Sequence, residues 1–234
     1  MKALVIGGSG TIGSAIVDRL LTDGYEVIVH YNKASIDELT NRYEHSAVQF
    51  IQCDLYECHD FEQHFNFIKN LDCLIYASGT ALYGQLQDMT DEMIDTSYDI
   101  HVRQFIRVSR YFLNQLRQSE NGRLIVISSI WGETGASMET IYSAMKGAQI
   151  SFVKALSQEL SMTNVTVNAI TPGFVNGNMA KVWTAEELND ITLDLPQQRL
   201  IEPEEVANTC SYLCHPLSKS ITGTIQKVNG AWYL

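Results

Sequence analysis

Four apolar residues, Ala3-Leu4-Val5-Ile6, run directly into Gly7-Gly8-Ser9-Gly10-Thr11-Ile12-Gly13. The run has the length and character of a strand buried on both faces. Behind the glycines, Ala15, Ile16, Leu20 and Leu21 recur with a helical rhythm that ends at Gly24. Strand, Gly-rich turn, helix is an opening that favours a parallel sheet with helices against it. Glycines let the backbone turn tightly, and the helix behind them offers unpaired N–H groups to a phosphate.

The same alternation continues along the chain. Further strands are expected at Tyr25–Val29, Val48–Gln52, Leu71–Tyr76, Leu124–Ser128, Val165–Ile170 and over 221–230. Helices are expected over 59–69, from about 91 to 116, around Tyr142 as far as about 160, and from Pro203. No linker, repeat or low-complexity tract interrupts them. The expected fold class is α/β: a single domain, residues 1–234, with a doubly wound, mostly parallel Rossmann-type sheet. Gly7 to Gly13, Asp54, Ser78-Gly79, Ser129 and Pro172-Gly173 all fall at carboxyl ends of strands, where such sheets bind ligands.

Composition narrows the partners. A formal charge of −11 argues against nucleic acid and against docking on an anionic membrane. No apolar run is long enough to span a bilayer, and the N-terminal segment reads as a strand, not a signal peptide. The five cysteines are odd in number and fit no disulfide framework, so a reduced, cytoplasmic protein is expected. Cys210-x-x-x-Cys214-His215 has spacing that would suit a metal, but no second ligand pair accompanies it, and two small apolar residues on one helix face are expected instead. No metal site is assigned. Arg103, Arg107, Arg110 and Arg117 fall near one helix face, either as a partner surface or as a solvated face.

One constellation carries chemistry. Tyr142 and Lys146 are one helical turn apart and share a face, and Ser129 ends the strand before them. A lysine ammonium beside a phenol favours the ionised form, so a lowered tyrosine pKa is expected, with Tyr142 as a proton donor. After the second strand, Tyr31-Asn32-Lys33 contains no acid to hold a ribose 2′-hydroxyl and repel a 2′-phosphate. That favours NADPH over NAD, unless Lys33 is only a solvated loop residue.

Taken in order, Gly7 to Gly13, Asp54-Leu55, Ala77-Ser78-Gly79, Ser129…Tyr142-x-x-x-Lys146, Pro172-Gly173 and ITG…VNG resemble the short-chain dehydrogenase/reductase family over the whole chain. The resemblance implies carbonyl reduction with NAD(P)H, or its reverse. It makes Ser129, Tyr142, Lys146 and His101 the catalytic candidates. Cofactor contacts are implied for Gly7, Ser9, Gly10, Thr11, Ile12, Gly13, Tyr31, Asn32, Lys33, Asp54, Leu55, Ala77, Ser78, Gly79, Tyr142, Lys146, Pro172, Gly173 and Val175. Four departures stand out. Thr11 replaces the middle glycine of the family turn. Tyr76-Ala77-Ser78-Gly79 replaces Asn-Asn-Ala-Gly. Gly177 stands where a threonine is common, and His101 stands where the family places a catalytic asparagine. His101 is either a proton relay or an interior histidine.

Within the family the chain resembles 3-oxoacyl-acyl-carrier-protein reductases. Glu120 and Thr163, however, occupy the places of the arginines that dock the acidic carrier. The run SSIWGETGAS-x-E-x-x-YS-x-x-KGAQ-x-x-FVKAL-x-x-EL with the tail NG-x-WY is similar to bacterial elongation factor P 5-aminopentanone reductases. That similarity implies a ketone carried on a lysine of elongation factor P, with the acyl-carrier ketone as the alternative. It makes Trp131, Glu133 and Glu139 candidates for substrate contact, against a packed tryptophan and two solvated glutamates. A non-catalytic NAD(P)-binding protein is the reading from a different class. The family resemblance also implies a homodimer or homotetramer, with Ala231 to Leu234 either in the interface or folded back on its own chain.

Overall fold

The computed structural model describes residues 1–58, 60–180 and 183–234. Seven strands form one sheet in the order β3-β2-β1-β4-β5-β6-β7. They are β1 (Lys2–Ile6), β2 (Glu26–Tyr31), β3 (Val48–Gln52), β4 (Cys73–Tyr76), β5 (Arg123–Ile127), β6 (Thr166–Pro172) and β7 (Ile225–Val228). Every pairing is parallel. The α/β class and the single Rossmann-like domain are therefore as the alternation predicts.

Helices cover both faces because strand residues alternate sides. Leu4 and Ile6 of β1 enter one core layer with Phe105, Phe112, Val153 and Leu156. Ala3 and Val5 enter the other with Ile16, Leu20, Val206 and Leu213. Helices α5 (Gln104–Gln118) and α7 (Thr140–Glu159) thus lie against the first face, and α1 (Thr11–Thr22) and α9 (Pro203–Cys214) against the second. Among the described residues no helix is long and apolar enough to cross a membrane.

The strand order reverses direction at β1, between β2 and β4. A crevice opens at such a switch point beyond the strand ends. The Gly-rich turn, the β4 end, the β5 end and the β6 end all face it.

Several expected elements shift. Helix α1 begins at Thr11, three residues before the expected start, because the turn closes at Gly10, whose carbonyl accepts from Ser14 N–H at 2.8 Å. The helix expected over 59–69 is only α3 (Phe61–Phe65), and His59 lies outside the described residues. The helix expected from 91 to 116 is α4 (Asp91–Tyr98) and α5, joined by a π-helical turn at Asp99–Arg103. Helix α2 (Ile36–Arg42) was not expected, although Ser35 caps it by accepting from Glu38 N–H. Nor was α8 (Ala185–Asp194), started by a reciprocal Thr184–Glu187 cap in the segment 176–200, in which residues 181 and 182 are outside the described residues. A single turn, α6 (Trp131–Thr134), follows β5.

The arginine stripe does not form one free surface. Arg103 pairs with Asp99 at 3.0 Å, and Arg107 donates to the Cys58 carbonyl and lies over the Phe61 ring. Cys210 and Cys214 are buried in the apolar layer under α9, while His215 Nδ1 accepts from Leu217 N–H. Among the described residues a different trio, Cys53, Cys58 and His64, has its ligand atoms within 4.8 Å of one another.

Candidate active site

The turn after β1 is built for close approach. Gly7 has φ +77°, and a Cβ on Gly13 would stand 2.1 Å from the Gly7 carbonyl oxygen. Only glycine fits either position. A residue the sequence reading overlooked locks this turn from below. His30, buried at the end of β2, accepts from Gly7 N–H through Nδ1 at 3.1 Å, and its Nε2 donates to the Cys53 carbonyl at 2.9 Å. Burial holds His30 neutral and lowers its pKa to about 4.

Thr11, the first departure, meets Gly177, the third. Thr11 Oγ1 accepts from Asn178 N–H at 3.1 Å. A Cβ on Gly177 would lie 2.5 Å from Thr11 Cγ2. The branched side chain therefore occupies the space that a side chain at 177 would need, and it ties the loop after β6 to the turn after β1.

Helix α1 has no side-chain cap at Gly10, so its first N–H groups remain available beside Ser9, Gly10 and Thr11. Arg42, a second residue the sequence reading missed, reaches the same hollow from α2 and pairs with Asp18. The turn and hollow suit the diphosphate of a dinucleotide. Lys33 is exposed beyond β2. Tyr31 is buried with its ring edge-on to Phe50, and Leu55 is buried in the other core layer. Their side chains are therefore turned into the two core layers, leaving only their backbone to face the crevice. The Asp54 carboxylate accepts from Tyr56 N–H at 2.9 Å, and the Asn32 carbonyl accepts from Gln52.

The crevice continues into a cleft. Ile12, Ala77, Ser78 and Gly79 line one side, and Pro172, Gly173 and Val175 the other. At its floor, β5 delivers Ser129, and α7 delivers Tyr142 and Lys146 on one face. The Ser129 side chain is within hydrogen-bonding reach of the Tyr142 phenol. Lys146 Nζ donates to the Ile127 carbonyl at 2.9 Å and stands 5.6 Å from the Tyr142 ring centre.

The lowered tyrosine pKa expected from the Tyr-Lys spacing is not found. Burial pushes Tyr142 up to about 12, with Ser129 opposing the rise and Glu139 adding to it. Burial also pushes Lys146 down to about 7, because the same dry floor disfavours both charges. At neutral pH Tyr142 is therefore a protonated phenol, able to release one proton to an acceptor in the cleft.

His101 lies in the π-helical turn, fully buried. Its ring stands edge-on to Tyr142 with centroids 5.5 Å apart. Nε2 stands 3.0 Å from the Thr80 carbonyl and 3.4 Å from the Thr80 N–H, whereas Nδ1 is buried without a hydrogen-bond partner. Burial and then Lys146 lower its pKa to about 3, so the ring is neutral. A Cβ on Gly79 would come within 2.6 Å of the ring, so glycine there makes room for the histidine.

The outer cleft is aromatic. Trp131 contacts Trp232 and Tyr233 at 5.0 and 5.6 Å between centroids, so the tail folds back on its own chain. Tyr83 and Trp183 form a second edge-on pair at 5.6 Å. All three tryptophans of the chain line the cleft. Glu139 lines it too, whereas Glu133 pairs with Lys227 at 3.4 Å. Tyr83, Met179 with Trp183, and Trp232 come from three separated segments, and of these only Trp232 lies in a run the sequence singled out, the NG-x-WY tail.

Comparison with known proteins agrees with this geometry. A family profile described as Enoyl-(Acyl carrier protein) reductase matches residues 7–231. An uncharacterized oxidoreductase, YmfI, of Bacillus subtilis is 34% identical, over 99% of this chain and 98% of its own. A 3-oxoacyl-[acyl-carrier-protein] reductase of Aquifex aeolicus is 30% identical over 99% and 96%. An acetoacetyl-CoA reductase of Acinetobacter is 28% identical over 99% and 97%. With its parallel sheet, glycine-built turn and Ser129–Tyr142–Lys146 floor, the chain belongs to the short-chain dehydrogenase/reductase family of oxidoreductases.

Proposed function

We propose that the protein is an NADPH-dependent ketone reductase whose substrate is the 5-aminopentanone-type group on a lysine of elongation factor P. The observation that carries the chemistry is the convergence of Ser129, Tyr142 and Lys146 on one dry floor. When bound, a reduced nicotinamide dinucleotide supplies a hydride to the carbonyl carbon. The Gly7–Gly13 turn and the α1 N-terminus would hold its diphosphate, with Lys33 and Arg42 toward a 2′-phosphate.

Ser129 donates to the substrate carbonyl oxygen and draws negative charge onto it. Tyr142 gives the phenolic proton to that oxygen, completing the alcohol. The phenolate left behind is held by the Ser129 hydroxyl and, in its ammonium form, by Lys146. In the tautomer whose Nε2–H donates to the Thr80 carbonyl, His101 presents Nδ1 as an acceptor beside this pair, where it orders the path that returns a proton to the tyrosine.

Three features favour the elongation factor over an acyl carrier. The segment from Ser128 to Leu160 and the Trp232-Tyr233 tail match the narrower resemblance. Glu120 and Thr163 offer no positive charge at the carrier-docking positions. A net charge of −11 disfavours encounter with an acidic carrier. The five free thiols support a cytoplasmic protein, and α5 and α7 are the proposed faces for a homodimer or homotetramer.

The alternative, 3-oxoacyl-carrier reduction, is favoured by the names of the reductases the chain is similar to. Purified protein with NADPH and an acetoacetyl carrier tests it. Slow oxidation of NADPH is expected, and rapid oxidation would favour the carrier. Tight NADPH binding without turnover of any ketone would instead indicate a non-catalytic nucleotide-binding protein.

A further inference from the structure

Glu139 occupies an unusual position. It is the residue before the first turn of α7, where an acidic side chain ordinarily accepts from the helix N–H groups. Here it makes no such bond. The carboxylate lies in the cleft and accepts instead from the Trp131 side chain. The residue before it, Met138, has φ +66°, a conformation that costs a non-glycine residue about a kcal/mol or more. Gly84 N–H donates to the Met138 carbonyl at 2.7 Å and fixes that conformation. The backbone is thus strained in a way that carries Glu139 into the cleft.

The surroundings do not satisfy a negative charge. Among the described residues Glu139 forms no ion pair, and the other charged side chain lining the cleft, Lys146, bonds the Ile127 carbonyl and stands beside Tyr142 instead. Trp131 bonds it, and Trp183, Trp232 and Tyr83 line the same cleft. A carboxylate held by one indole among aromatic rings lacks a counter-charge. Aromatic faces attract cations as well. Glu139, just ahead of α7, and Tyr142, in its first turn, line the same cleft, close enough for the Glu139 charge to act on the phenol.

We propose that Glu139 and the surrounding tryptophans form a cation subsite, which selects ketones bearing an ammonium group a few bonds from the carbonyl. This deepens the ketone-reductase function and rests on it for the identity of the reacting group.

The test uses two probes: a methyl ketone with a trimethylammonium group on a three-methylene tether, and its neutral tert-butyl isostere. The protein with NADPH is expected to favour the cationic ketone by about 10- to 100-fold in kcat/KM. Glu139→Gln is expected to erase that preference, chiefly through KM, while leaving the neutral ketone within about twofold. Glu133→Gln, a change in a carboxylate paired with Lys227, is expected to keep the preference. Equal rates on the two ketones in the unaltered protein, or an equal loss on both in Glu139→Gln, would overturn the subsite.

Tryptophan fluorescence gives a readout independent of turnover, because every tryptophan lines the cleft. Tighter binding of the cationic probe, lost in Glu139→Gln, with neither ketone reduced, would uphold the subsite and overturn the ketone-reductase function. Reduction of both ketones without preference would do the reverse.

Discussion

Thr11 and Gly177 compete for one space. A Cβ on Gly177 would stand 2.5 Å from Thr11 Cγ2, and the threonine hydroxyl accepts from the next backbone N–H, that of Asn178. Two departures from the family pattern, far apart in sequence, are one packing solution. Gly177→Thr is expected to lower stability and cofactor affinity in the natural background. Thr11→Gly with Gly177→Thr is expected to recover much of the loss, with a coupling of about 1 kcal/mol or more. Thermal melts and NADPH titrations on the four proteins of the cycle measure it, and strict additivity would contradict the shared space.

Tyr142→Phe removes the phenolic proton while leaving the ring against His101. It is expected to lower kcat by about 100- to 10,000-fold, with NADPH affinity changed little. Ser129→Ala is expected to cost about 100-fold or more in kcat, as the hydroxyl serves only when charge develops on the carbonyl oxygen. Steady-state kinetics on any accepted ketone reads both. Retention of full activity by Tyr142→Phe would remove the tyrosine from the chemistry.

His101 places an unpartnered Nδ1 beside Tyr142 and Lys146. His101→Asn keeps an acceptor there and is expected to retain activity within about tenfold, while His101→Leu is expected to lose more than either its stability or its NADPH affinity. A pH–rate profile separates a relay from mere packing. A loss in His101→Leu that is uniform across pH and tracks stability would leave the histidine with a structural role only.

Two buried histidines predict how stability depends on pH. In the fold, His30 is lowered to about 4 and His101 to about 3, from an ordinary 6.5. Between about pH 6.5 and 4 the unfolded chain therefore binds more protons than the fold, and stability falls as pH falls through that window. Protonation would also cost His30 its acceptance from Gly7 N–H, loosening the turn. Urea melts from pH 7 to 4 are expected to show this slope, and His30→Gln is expected to reduce it by up to one proton. An unchanged slope in that variant would contradict a neutral His30 in the fold.

The proposed preference for NADPH rests on Lys33 and Arg42, with no acid at the end of β2. Tighter binding of NADPH than NADH is expected. Lys33→Ala with Arg42→Ala is expected to narrow that gap by about tenfold or more through the 2′-phosphate. Binding of NADH tighter than NADPH by the unaltered protein would reverse the assignment.

The sheet was legible in the sequence because buried parallel strands are near-continuous apolar runs, and Val48–Gln52 was delimited to the residue. The site floor was legible too, since Ser129, Tyr142 and Lys146 depend on local spacing and a strand end. What could not be read were consequences of tertiary contact. The Tyr142–Lys146 spacing says nothing of the burial that pushes the phenol up and the ammonium down. The π-helical turn that inserts His101 breaks no apolar rhythm. His30 reads as one more strand residue until its ring meets Gly7 and Cys53. Arg42 was missed with its helix, although Ser35 and Glu38 hold the spacing of an N-cap.

The most direct measurement is the mass of elongation factor P from a strain lacking this protein, followed by reaction of that factor in vitro. The factor is expected to accumulate in the ketone form. Purified protein with NADPH is then expected to add one hydride and one proton, and Tyr142→Phe to add neither at a comparable rate. Elongation factor P of normal mass in the deletion strain would contradict the proposed substrate.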